Sequence, residues 1–194
     1  MRRPGSMVSM PRMKTWVTYG FIIALAGSLL GYVEFFLGYH NDPAKFDAGG
    51  TIGTIGGPII TIIGLFQGIR AVRESRPDRS LSYGRGVLAG IAIGIFAGLF
   101  GAISTYAYGT WVNPEYHELL RERQVAGVAS RGLPDDQMAL AKRMAELLST
   151  PAAVAGMALF AAPFVGGLMS LVIAAILRRR PLSTLPSPHR PFRR

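Results

Sequence analysis

Residues 84–112 are almost entirely apolar and carry Gly86, Gly90, Gly94 and Gly98 at a strict four-residue spacing. Built as an α-helix at about 1.5 Å per residue, the stretch is roughly 43 Å long, more than a bilayer's hydrocarbon core of about 30 Å. It reads as a tilted or projecting transmembrane helix. That restricts the fold to architectures in which every backbone group exposed to lipid is bonded internally. Four residues slightly exceed one helical turn, so the glycines form a slowly drifting groove without side chains, where another backbone can come close.

Three further stretches, 16–38, 51–69 and 152–177, are apolar over spanning length. The last repeats Ala158, Ala162, Gly166, Ser170 and Ala174 every four residues. Two matching small-residue rows predict that the third and fourth spans pack through them, with contact to a second copy as the competing use. Pro58 and Pro163 lie inside spans, where a missing backbone donor can bend a helix. Composition agrees with a membrane chain: 49% of residues are hydrophobic, 16% are charged and 24 are glycine. With no cysteine, disulfide and thiol chemistry are excluded. Ala24-Leu25-Ala26 after a basic start imitates a signal-peptide cleavage site, but the apolar run continues to Leu37, as an uncleaved anchor requires.

The connections differ in kind. Residues 40–50, with Asn41-Asp42-Pro43 and Gly49-Gly50, have turn chemistry, and 70–85 is a basic loop interrupted by Pro77. Asn113-Pro114 punctuates the third span, and two mixed charged and apolar helices follow at 115–129 and 135–148, separated by Arg131-Gly132-Leu133-Pro134. Met138, Ala141, Ala145 and Leu148 give the second of these one apolar stripe. Ser149-Thr150-Pro151 then caps the fourth span. The expected fold is all-α: a polytopic membrane bundle of four transmembrane helices with an extramembrane helical hairpin, 114–149, between the third and fourth. Basic tails, 1–15 and 178–194, flank it.

Four crossings put both tails and the 70–85 loop on one side. That side holds fifteen of the 21 Lys and Arg, with only Glu74 and Asp78 among the acids. By the positive-inside rule it is cytoplasmic, and the hairpin faces outward. Arg70, Arg73, Arg178, Arg179 and Arg180 are candidates for contact with anionic lipid headgroups. Nucleic acid is disfavoured as a partner, because the charge is divided over three short segments without a recognisable binding fold.

Glu34 is the acidic residue within a span, and intramembrane carboxylates are functional candidates by default. It lies about 27 Å along the helix from Trp16, near the outer interface where water reaches it; helix anchoring or an interfacial hydrogen bond is the bland alternative. Ser104, Thr105, Tyr106 and Tyr108, at the outer end of the third span, are its candidate partners. His40 and His117 are expected to be solvated loop residues, since two histidines on separate loops lack the third ligand a catalytic zinc site needs. No metal, cofactor or catalytic constellation is evident.

The layout resembles the domain of unknown function 4199 family of bacterial inner-membrane proteins. The matching pieces are Tyr19-Gly20, Gly68-Ile69-Arg70, Leu81-Ser82-Tyr83-Gly84, Tyr106, Asn113-Pro114, the helical hairpin and Ile176-Leu177-Arg178-Arg179. They run from about Lys14 to Arg180, in order of elements rather than as one motif. The arginine- and proline-containing tails depart from the compact family pattern. The resemblance implies a four-span fold in a bacterial inner membrane and carries over no catalytic residue. Many packing features and little chemistry point to a non-enzymatic accessory or structural subunit, which associates with itself or a larger membrane complex and with lipid. The alternative is a small transporter or channel using Glu34 and the proline-containing helices.

Overall fold

The structure, a computed structural model, describes residues 11–178. Four helices are long and apolar enough to cross a membrane: α1 (Pro11–Phe36), α2 (Phe46–Glu74), α3 (Tyr83–Ala107) and α6 (Pro151–Leu177). A π-helical turn, Tyr108–Val112, continues α3, and the short helices α4 (Glu115–Ala129) and α5 (Asp135–Leu148) form the hairpin before α6. The protein is an all-α, multi-pass membrane bundle. Large apolar side chains such as Leu29, Ile59, Ile103, Phe160 and Val172 face outward, the surface that lipid requires.

Several boundaries differ from the sequence reading. Residues 11–15, read as tail, already belong to α1, for which Pro11 is a suitable first residue. The second span is longer at both ends than 51–69. At its start Gly49 lies inside the helix, and a Cβ there would lie 2.8 Å from the Cβ of Tyr39, so the glycine permits close approach rather than a turn. At its end the Arg70 Nε donates to Glu74 Oε1 at 2.8 Å and adds i,i+4 support until Pro77 forbids continuation. Arg2, Arg3, Arg179 and Arg180 lie outside the described residues.

α3 is the central element, with α6 as its most extensive neighbour and α1 next. The α3–α6 seam is where the two small-residue rows meet. A Cβ on Gly86 would lie 2.6 Å from Ala174 Cβ, one on Gly90 would overlap Ser170, and one on Gly98 would lie 2.8 Å from the Leu159 carbonyl oxygen. On the other flank, Gly20 of α1 meets the α3 backbone, with Ala97 N at 2.9 Å from its would-be Cβ. Dispersion across such close approach is a main source of helix association in lipid. Near the end of the bundle that holds the described termini, Leu65, Ile69, Ile93, Leu81, Ile173 and Leu177 close the interior. Toward the hairpin end the bundle opens into a cavity.

Candidate functional site

The site begins with the way α1 stops. Gly38, at φ +83°, takes the left-handed conformation that a side chain disfavours. Its N–H donates to the Phe35 carbonyl and the Tyr39 N–H to the Glu34 carbonyl, both at 2.9 Å, the paired bonds of a Schellman cap. The cap reverses the chain so that His40 folds back over the last turn of its own helix. There His40 Nε2 lies 3.0 Å from Glu34 Oε2, and both residues are buried, at 9% and 6% exposure.

The second contribution comes from the π-helical turn. Its wider hydrogen-bond ring, closed by the Asn113 N–H on the Tyr108 carbonyl at 2.8 Å, brings Tyr108 and Asn113 together. The Tyr108 hydroxyl is 2.6 Å from His40 Nδ1 and accepts from Asn113 Nδ2 at 3.0 Å. Asn113 Nδ2 also donates to Asn41 Oδ1 at 2.8 Å, and its Oδ1 accepts from the Tyr116 N–H at the start of α4. Glu34, His40, Tyr108, Asn113 and Asn41 therefore form one chain of hydrogen bonds. Tyr116 tilts against His40 with ring centroids 4.7 Å apart, and Tyr32 and Phe35 pack edge-on to Tyr108.

Burial lowers the His40 pKa below its ordinary value, against the pull of neighbouring Glu34, which favours the charged ring. Burial raises the Tyr116 phenol, so it stays protonated. Glu34 Oε1 is buried without a hydrogen-bond partner and lies beside Gly53 of α2, 3.7 Å from where a Cβ would stand. Next to this network, between α1, α2, α3 and α6, is a cavity of about 570 Å³ that His40, Tyr108 and Tyr116 help to line. Gly27, Gly57 and Gly101 line it too, and a Cβ on any of them would meet nothing within 4 Å.

Three expectations need correction. His40 and His117 are not solvated: the turn at Gly38 buries the first, and packing of α4 on the hairpin junction buries the second at 7% exposure. His117 Nδ1–H donates to the Ser149 carbonyl at 2.8 Å, while its Nε2 faces Gly109 of the π-helical turn and has no hydrogen-bond partner. Glu34 is not at a wet interface, because His40 covers it. Of its candidate partners, Tyr108 joins it through His40, whereas Ser104 pairs with Ser28 at 2.7 Å, Thr105 lines the cavity and Tyr106 is exposed. Among the candidate headgroup arginines, Arg70 and Arg178 are exposed, but Arg73 is folded inward with 14% of its side chain exposed, 3.7 Å from Glu74. No group of three or more metal-ligating side chains occurs among the described residues.

The family model described as "Protein of unknown function (DUF4199)" matches residues 18–179. The chain belongs to the DUF4199 family. The DUF4199 match takes in the first span from residue 18 onward, the other three whole, and every residue of the Glu34, His40, Tyr108 and Asn113 network. No curated protein and no solved structure matches the chain.

Proposed function

We propose that this protein is a small, non-enzymatic membrane transporter in which the Glu34–His40 pair binds the transported proton and the adjoining cavity receives solute. One observation carries the reading: a carboxylate near the end of a membrane span is buried against a histidine at 3.0 Å, beside a cavity inside the bundle. A carboxylate there is costly unless paired, and such residues mark proton and ion paths. The histidine supplies a partner that gains its charge on the acid side of neutral, because burial lowers its pKa. The small-residue rows, which would otherwise offer a surface for an accessory role, are occupied between α3 and α6 of the same chain. The charge asymmetry of the sequence supports both termini lying in the cytoplasm, and a bacterial inner-membrane location is what the resemblance to the DUF4199 family implies.

The test is proton flux in proteoliposomes that enclose a pH-sensitive dye, driven by a potassium diffusion potential. Wild-type protein acidifies the lumen faster than empty liposomes. Glu34→Gln, isosteric but uncharged, abolishes that excess, whereas Glu118→Gln, on an exposed hairpin carboxylate, retains it. Wild-type flux at the empty-liposome rate, or undiminished flux in Glu34→Gln, overturns the reading.

A further inference from the structure

The cavity is of a definite chemical kind. Its volume of about 570 Å³ falls within the range of roughly 300–1,000 Å³ typical of small-molecule pockets. No Asp, Glu, Lys or Arg lines it, and its walls are mostly Gly, Ala, Ile, Leu, Val and Pro. Of the four Ser and Thr side chains in the wall, three are already engaged, Thr105 being the exception. Ser28 donates to the Ala24 carbonyl at 2.8 Å, Thr61 to the Gly57 carbonyl at 2.9 Å, and Ser104 pairs with Ser28. A charged ligand would lose its hydration here without compensation. An apolar body would not.

The polar end is where His40, Tyr108 and Tyr116 meet the cavity. A tyrosine hydroxyl has one proton and two lone pairs. Asn113 occupies one lone pair. When the Glu34–His40 pair holds a single proton, on His40 Nε2 toward the carboxylate, Nδ1 is a bare acceptor and the Tyr108 hydroxyl donates to it. When the pair holds one more proton, Nδ1 carries a hydrogen whether the pair is imidazolium and carboxylate or neutral imidazole and carboxylic acid, and it donates to the second lone pair of Tyr108. The Tyr108 hydroxyl then accepts twice, and its own proton is left without a partner in the network.

We propose that the cavity binds a neutral amphipathic molecule with an apolar body and a carbonyl end, the carbonyl accepting from Tyr108 when the Glu34–His40 pair holds its second proton. This rests on the reading above in that it places a proton on that pair. Other titratable groups near the pair are Tyr116 from α4, Tyr32 from α1, and Lys45 of the loop, whose Nζ approaches Gly38. α2 presents Gly53 to Glu34.

Benzophenone is a suitable probe, being neutral, with an apolar body, one carbonyl and photoinsertion at that carbonyl. Protein in lipid nanodiscs is irradiated with it at about pH 4.5 and about pH 8, an interval extended to the acid side because burial lowers the His40 pKa, and adducts are mapped by peptide mass spectrometry. The expected adducts fall on cavity residues such as Ile60 and Val165, severalfold more at the lower pH. Gly101→Leu and, from a second helix, Gly57→Leu fill the cavity and remove these adducts, while labelling of outward-facing Phe164 and Val172 persists as the measure of intact fold. Tyr108→Phe weakens cavity labelling and removes its pH dependence. Adducts confined to outward-facing residues overturn the proposal, as does cavity labelling that survives both filling variants or keeps its pH dependence in Tyr108→Phe. Flux and labelling fail separately: cavity labelling without Glu34-dependent flux removes the transport reading alone, and flux without cavity labelling removes the ligand alone.

Discussion

A Cβ at Gly94 would lie 2.8 Å from the Ala162 carbonyl oxygen and 3.0 Å from the Pro163 Cα. Both are backbone, so a methyl group is accommodated only by moving two helices apart. Overpacking of this kind costs about 1–3 kcal/mol, against the roughly 0.5–1 kcal/mol that Ala gains over Gly inside a helix. The clash wins. Gly94→Ala is expected to lower thermal stability in detergent, whereas Gly101→Ala, where a Cβ meets nothing within 4 Å, is neutral or slightly stabilising. Equal melting temperatures for the two variants would remove Gly94 from the seam. The spacing of Gly94 was legible in the sequence, because a four-residue period survives into any helix. The burial of His40 was not, since nothing local distinguishes a loop histidine in water from one returned over its own helix.

The elements at the hairpin end are tied down by few groups, and those few are specific. His117 Nδ1–H reaches the Ser149 carbonyl, across 32 positions of sequence, and so fastens α4 to the α5–α6 junction. Arg123 also bridges α4 to Asp47 at 3.1 Å, but both side chains are exposed, and such pairs contribute about 0–1 kcal/mol. The buried bond dominates. His117→Phe keeps an aromatic ring and leaves the Ser149 carbonyl without its histidine donor, a loss of about 1–3 kcal/mol. Amide exchange of α5 is expected to quicken while α3 and α6 keep their protection; unchanged exchange in α5 would show that the hairpin is held otherwise. Caps were partly readable at this scale. Thr150 accepts from the Ala153 N–H at 3.3 Å with Pro151 following, as its residue types indicated. The π-helical turn carries no comparable residue signature, because it depends on Asn113 bonding to Tyr108 one residue farther back than an α-helix allows.

For the molecule as a whole, the expected orientation rests on the unequal placement of Lys and Arg at the two ends of the spans. A cytoplasm-only fluorescent reporter is expected to light when fused after Arg194 and to stay dark when inserted at Gly132, in the exposed turn between α4 and α5. The opposite pattern would invert the assignment. The sequence alone determined the number of spans, the hairpin and the small-residue rows, because hydrophobic length and helical period are local properties that lipid converts directly into helices. Tertiary structure decided which rows meet, how far Glu34 is from water and what surrounds the cavity. Those depend on distances between residues far apart in sequence. Tyr108 reaches His40 across 68 positions, and only the packing of α1 against α3, with the turn at Gly38, brings the phenol and imidazole to 2.6 Å.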